Sequence, residues 1–200
     1  RILSSLIIIP TALFFIIKGS VFFTFFLLVF FLVTSYEWFK MNKKNSLKLL
    51  GIIYLLIITC CGYLLRENFG VNIFIFIIII CIFTDIGGYV FGKIFKGPKL
   101  TKISPNKTII GSVGSFLISA TTIFILTFIF FGVYGLNILF VGLATSLACQ
   151  IGDLFFSYLK RKAKIKDTGS LLPGHGGILD RLDGILLGVP VGIFIIIYLS

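Results

Sequence analysis

An all-α, polytopic integral membrane protein of about seven transmembrane helices is the fold class that this sequence predicts. Hydrophobic residues make up 58% of the chain and charged residues 12%, and the mean hydropathy of +1.14 lies far outside the range of a soluble domain. The apolar residues run in stretches near the roughly 20 residues that a helix needs to span a bilayer. Lysines and arginines border those stretches, where they orient spans. A lipid bilayer is therefore an expected partner, and nucleic acid is not.

Seven stretches qualify, the first and fourth least clearly. Residues 2–17 and 20–36 are rich in Ile and Phe, and no small-residue cleavage site precedes Lys18, so the first is not expected to be a cleaved signal. The chain opens on Arg1 and not on Met, as expected if further residues precede it. Residues 47–65 follow a lysine-rich turn, and residues 72–91 carry Asp85 near their end. Residues 109–131 follow ISPNKT, residues 136–158 contain Gln150, Asp153 and Ser157, and residues 179–199 open on LDRLDG. Cys60, Cys61, Cys81 and Cys149 fall inside these runs without metal-site spacing and are expected to pack. No repeat or linker divides the chain. One continuous membrane domain is expected, in which residues 1–70 pack and anchor and residues 71–200 carry the chemistry.

The formal charge of +11 is distributed unevenly. With seven spans, one side carries Lys40 to Lys48, then Lys93 to Lys107, then Lys160 to Lys166, while the other carries Lys18 and Arg66. The excess of positive charge places the first side, with the N-terminus, in the cytoplasm and the C-terminus outside.

Ionisable groups at membrane depth are costly and read as functional by default. Asp85 could equally cap its helix or meet a lysine, and Glu37 and Glu67 are taken as loop residues without a role. The sixth span ends in CQIGDLFFSYLKRK, where Asp153, Ser157 and Lys160 or Arg161 recur at helical spacing and share a face. Leu154, Phe155, Phe156 and Leu159 flank that face, so it should point into the protein or a wet cavity. Next comes DTGSLLPGHGGILDRLDG, in which Pro173 with Gly169, Gly174, Gly176 and Gly177 can bring backbone N–H groups near an anion.

Asp180 and Asp183, three residues apart, should face the same way, and with Asp153 they repel unless a cation compensates. Arg181 projects elsewhere around the helix. Oxygen-only ligands beside a basic run suit Mg²⁺; the alternative is a network of Asp–Lys/Arg ion pairs joining two helices. His175, alone among glycines, is free to approach a ligand but has no second His or Cys to make a metal site. An acidic cluster and a basic phosphate cradle together point to phosphoryl or nucleotidyl transfer to a lipid.

The stretch SYLKRKAKIKDTGSLLPGHGGILDRLD closely resembles the signature of the phosphatidate cytidylyltransferases, or CDP-diacylglycerol synthases. QIGDL and FGKIFKGPKLTKISPNKTIIGSVG resemble that family's other motifs, so the likeness runs through residues 85–184. It implies the reaction of CTP with phosphatidic acid to give CDP-diacylglycerol and pyrophosphate in a bacterial inner membrane, with Mg²⁺ and a second cation. Carried over by position, Asp153 and Asp180 are metal ligands, with Asp183 and Ser157 close by. Lys160 and His175 join the three aspartates as catalytic residues. Lys107, Ser104, Ser157, Arg161, Lys166, Gly176, Gly177 and Arg181 are substrate or phosphate contacts. A homodimer stays open. Two positions depart from the motif: Ile110 and Phe156 stand where it often has acidic residues. A polyprenol-type CTP-dependent kinase, which would release CDP, and a cation-coupled transporter are the rival readings.

The orientation has a direct test. Single cysteines at Lys99 and Lys164, in a background lacking the native four, should react with a membrane-impermeant thiol reagent only once the cytoplasmic face is opened; labelling in intact cells would reverse the assignment.

Overall fold

The computed structural model describes residues 2–101, 103–105, 107–132, 135–169 and 176–199, with side chains from residue 9 onward. The named elements among them are all helices: α1 (Ile2–Lys18), α2 (Ser20–Met41), α3 (Asn45–Phe69), α4 (Val71–Phe95), α5 (Ile109–Phe131), α6 (Leu136–Lys162), α7 (Leu179–Leu182) and α8 (Ile185–Leu199). Helices are the expected solution, because backbone groups in lipid have no water to bond and must satisfy one another within the segment. Five of them, α2 to α6, are long and apolar enough to cross a membrane. The Ile9–Lys18 part of α1 and all of α8 are shorter apolar helices. The chain is thus a polytopic all-α membrane protein.

The apolar windows locate the helices but cut them short. Polar and charged residues continue α2 to Met41, α3 to Phe69, α4 to Phe95 and α6 to Lys162, so the two basic loops are shorter than expected. Glu37 and Glu67, expected in loops, lie within α2 and α3. The expected last span, residues 179–199, is broken after Leu182, and α8 restarts at Ile185. Asp183 Oδ1 accepts the Gly184 N–H at 3.1 Å, and Leu187 N–H returns to the Gly184 carbonyl at 3.2 Å, so the local bonds form a turn at the break.

The described chain divides into two compact units, Arg1–Phe74 with Leu159–Leu182, and Ile75–Tyr158 with Asp183–Ser200. In the first, Trp38 Nε1 donates to the Leu47 carbonyl at 3.0 Å and Arg66 Nε to the Ile16 carbonyl at 3.2 Å, tying α2 to α3 and α3 to α1. Phe23 meets Phe74 edge-on, with ring centroids 5.4 Å apart. Val21, Phe22, Phe25 and Leu28 of α2 remain exposed, as lipid-facing side chains should.

In the second unit α4 and α5 cross on glycine. A Cβ added at Gly111 would lie 2.8 Å from the Gly88 carbonyl oxygen, and one at Gly87 would lie 2.8 Å from that of Gly114. Small residues let helix backbones approach closely where lipid supplies no hydrophobic drive. Buried hydroxyls add polar links: Thr84 Oγ1 donates to Ser146 Oγ at 2.9 Å, Ser119 and Ser146 hydroxyls meet at 2.8 Å, and Ser115 Oγ donates to the Thr84 carbonyl at 2.8 Å.

Replacing Gly111 by Val should force the two helices apart and lower stability by about 1–3 kcal/mol, the cost of overpacking. Gly135→Ala, whose Cβ would meet nothing nearer than 3.9 Å, should leave the thermal midpoint in detergent unchanged.

Candidate active site

Two polar clusters stand out, one in each unit. In the second unit the chain before α5 folds back on itself: Leu100 N–H donates to the Lys107 carbonyl at 2.8 Å, and Ile109 N–H donates to the Pro98 carbonyl at 3.0 Å. Thr108 then caps α5, its Oγ1 accepting the Gly111 N–H at 3.0 Å. This fixes Lys107 at a cavity of about 270 Å³ whose lining includes Asp85, Ser104, Ser112, Gln150 and Asp153. Lys107 Nζ forms an ion pair with Asp153 Oδ2. Gln150 Oε1 accepts Ser112 Oγ–H at 2.5 Å, while its buried Nε2 has no hydrogen-bond partner among the described residues.

The buried stripe of α6 includes Thr145, Cys149, Gly152 and Phe156, and Asp153 stands beside it, partly exposed. Phe156 is therefore packed at 2% exposure, whereas Phe155 faces outward at 48%. The apolar residues around Asp153 divide between core and surface. Cys81 and Cys149 are buried, but Cys60 is exposed and Cys61 intermediate, so packing explains only part of the set. Cys149 Sγ lies 3.7 Å from Asp85 Oδ1.

In the first unit the centre is Asp180, on the short helix α7. Oδ1 accepts Lys160 Nζ–H at 3.0 Å; Oδ2 accepts the Thr168 N–H at 2.7 Å, the Gly177 N–H at 3.0 Å and a bond with Thr168 Oγ1 at 3.1 Å. Both side chains are well buried, with 12% exposure for Lys160 and 7% for Asp180. Burial pushes the Asp180 carboxyl upward, but the Thr168 amide, the Lys160 ammonium and the Gly177 amide outweigh it and hold it below the usual range. Alongside, Glu37 is 1% exposed. Its Oε1 accepts the Ile178 N–H and its Oε2 the Leu179 N–H, both at 2.9 Å. The glycine turn does bring N–H groups to anions, and the anions present are the protein's own carboxylates.

The sequence model of the Cytidylyltransferase family matches residues 44–199. This chain belongs to the Cytidylyltransferase family. It is 35% identical over 98% of its length to a phosphatidate cytidylyltransferase of Rickettsia bellii, covering 89% of that protein. It is 34% identical over 98% to one of Rickettsia felis, covering 90%. A phosphatidate cytidylyltransferase of Helicobacter pylori shares 38% identity over 66% of this chain and 49% of its own length. The resemblance seen in the signature thus extends over nearly the whole chain, and the nucleotidyltransferase class follows from membership.

The signature residues can now be placed. Lys107, Ser104 and Asp153 line the cavity of the second unit, and Ser157, partly buried, lies one turn beyond Asp153 on α6. Asp183 sits in the turn between α7 and α8, and its unit is not that of Asp180. Lys160 joins Asp180. Arg161 is exposed in the last turn of α6, its Nη1 donating to the Ile165 carbonyl at 3.4 Å, and Lys166 is exposed in the turn that follows. Arg181 is exposed on α7. Gly176 adopts a left-handed φ of 86°, and a Cβ at Gly177 would come within 2.2 Å of Thr168 Oγ1. His175 lies outside the described residues. Within neither unit do three or more described His, Cys, Asp or Glu side chains gather as a metal-binding group. Sequence reasoning missed Glu37 and Thr168; a lone glutamate in the apolar run of α2 was the available signal for the first.

Because α7 precedes α8 and lies outside the candidate spans, the Asp180 carboxyl can be probed by pH. A folded-state pKa held below the unfolded value contributes stability that is complete above the ordinary Asp value of about 4 and is lost as pH falls toward the folded value. The thermal midpoint should therefore fall less below pH 4 in Asp180→Asn than in the parent. At pH 7 the substitution should cost about 1–3 kcal/mol, since a buried Lys160 loses its Asp180 bond.

Proposed function

We propose that this chain is a phosphatidate cytidylyltransferase: CTP plus phosphatidate gives CDP-diacylglycerol plus pyrophosphate. The observation that carries this reading is the end-to-end similarity to relatives of that name. The membrane is read as a bacterial inner membrane, crossed by α2 to α6 and by the shorter apolar α1 and α8, with the basic loops in the cytoplasm.

In this reaction a phosphatidate monoester oxygen attacks the α-phosphorus of CTP. A new P–O bond forms, the bond from the α-phosphorus to its bridging oxygen breaks, and pyrophosphate leaves with the electron pair. The nucleophile is already anionic, so little base catalysis is needed. The protein's task is to hold two polyanions together in line and offset the charge of the transition state. Lys107, Lys160, Arg161 and Lys166 are read as phosphate contacts, and Gly176, Gly177, Ser104, Ser157, Arg181 and His175 as their surroundings.

A divalent cation fits the second unit best. Asp85 and Asp153 face one cavity with Ser104 and Gln150, an oxygen-rich donor set of the kind Mg²⁺ uses with phosphate oxygens. Asp180 fits less readily, since both its oxygens are held by protein donors. We read Asp153 as the principal ligand, with Asp85 added to the expected set. When bound, Mg²⁺ would supply positive charge at the phosphates.

The product decides the reading. Purified protein with labelled CTP and phosphatidate should release pyrophosphate, not CDP, and lose turnover with a chelator; release of CDP would indicate a lipid kinase, and ion flux without nucleotide turnover a transporter. Asp153→Asn should abolish most turnover. Lys160→Ala and Arg161→Ala should each lose about 1–3 kcal/mol of transition-state stabilisation, while Lys43→Ala should change little. Equal losses at all three would replace a local site with general membrane electrostatics.

A further inference from the structure

We propose that Glu37, in the part of the chain expected only to pack and anchor, is a positioning residue that sets the turn carrying Asp180 and, through it, Lys160. The inference rests on the cytidylyltransferase reading above.

Glu37 is 1% exposed in α2, and among the described residues it forms no ion pair. Its carboxylate is satisfied instead by the two amides of Ile178 and Leu179 and by Thr168 Oγ1 at 3.2 Å. These donors belong to the segments that also hold Asp180. Thr168 gives its amide to Asp180, and its hydroxyl, with one proton, lies between the Glu37 and Asp180 carboxylates. Gly177 gives its amide to Asp180, and a Cβ on it would sit 2.6 Å from Glu37 Oε2. A Cβ on Gly169 would sit 3.0 Å from Glu37 Oε1.

The two carboxylates therefore hold one turn through neighbouring amides, Asp180 through Gly177 and Glu37 through Ile178 and Leu179. Two oxygens on consecutive amides fix its rotation as well as its position, which a single hydroxyl cap could not do. Asp180 in turn holds Lys160 at 3.0 Å, so an error in the turn is passed to the lysine read as a phosphate contact. Misplacement by about 1 Å in such a chain costs on the order of 100-fold in rate. This explains a buried acid far in sequence from the signature, which neither charge balance nor packing requires.

The test is Glu37→Gln in the full chain. The amide offers one acceptor and one donor group where two acceptors are needed, so the Ile178 or Leu179 N–H loses its bond. In detergent–phosphatidate micelles kcat should fall about 100-fold while KM for CTP stays within about threefold, the pattern of a transition-state effect. The thermal midpoint should fall, as in Asp180→Asn, with the protein still folded at the assay temperature, and amide exchange over residues 177–180 should quicken. Glu37→Asp, one methylene shorter, should not restore the rate, and Glu67→Gln should match the parent.

If Glu37→Gln fails to fold, Thr168→Val removes only the shared hydroxyl and should lower kcat about tenfold, the scale of one hydrogen bond. Parent-like kcat in folded Glu37→Gln, or in Thr168→Val where that substitutes for it, would overturn the proposal while leaving the cytidylyltransferase reading intact. A parent that makes no CDP-diacylglycerol would instead overturn that reading. Amide exchange would then decide the clamp alone, and unchanged protection over residues 177–180 in the same variants would remove it.

Discussion

A carboxylate taken out of water must be given donors, and that requirement organises the polar half of this molecule. Asp180 has an ammonium and two amides, Glu37 has two amides, and one Thr168 hydroxyl lies between them; Asp153 has Lys107. Each acid is matched by a different means because each stands in different company. Asp180 has a lysine on the neighbouring helix end. Glu37 has none among its bonded partners and takes the N–H groups of a turn whose geometry glycine makes possible. A chain with seven acidic residues can be specified by them in this way, since each has few ways to be satisfied and those ways name particular partners.

The same requirement explains the glycine-rich signature. A left-handed φ at Gly176 and the absence of a Cβ at Gly177 let the backbone pass between Thr168 and two carboxylates. The sequence suggested N–H groups presented to an incoming phosphate. Here the amides of Gly177, Ile178 and Leu179 are engaged inside the protein, so the turn acts first as a mould for the acids, and the side chains of Lys160, Arg161 and Lys166 remain the more direct means of meeting phosphate.

Helix identity was legible because lipid leaves the backbone few options, and runs of Ile and Phe announce where those options are exercised. Helix ends were not: Trp38, Arg66, Lys93 and Lys160 continue helices past their apolar windows, since the backbone ladder does not stop where hydropathy does. The break at Asp183–Gly184 escaped for a related reason, because periodicity places Asp180 and Asp183 on one face only if the helix persists between them. In the candidate site, Lys107, Asp153, Lys160 and Asp180 could be named from spacing and charge. The metal reading grouped the acids around a cation; its alternative, Asp–Lys ion pairs, is the arrangement seen at Lys107–Asp153 and Lys160–Asp180, although the sequence did not specify which lysine meets which acid. Glu37 was lost through its assignment to a loop; the cost of an ionisable group at membrane depth, applied to Asp85, applied equally to it.

The ion pairs also bear on how the proposed substrates would bind. Lys107 and Lys160 are engaged with carboxylates, so a polyanion must compete with those carboxylates or share their lysines. Drawing Lys160 from Asp180 leaves a carboxylate that is 7% exposed with three protein donors and no ammonium, a state whose cost rises with burial. Drawing Lys107 from Asp153 costs less, because that pair is about a quarter exposed and opens on a polar cavity. The two clusters are therefore unequal. The Asp153 cluster exchanges partners at less cost, and Lys160, with three N–H donors, can meet phosphate without leaving Asp180.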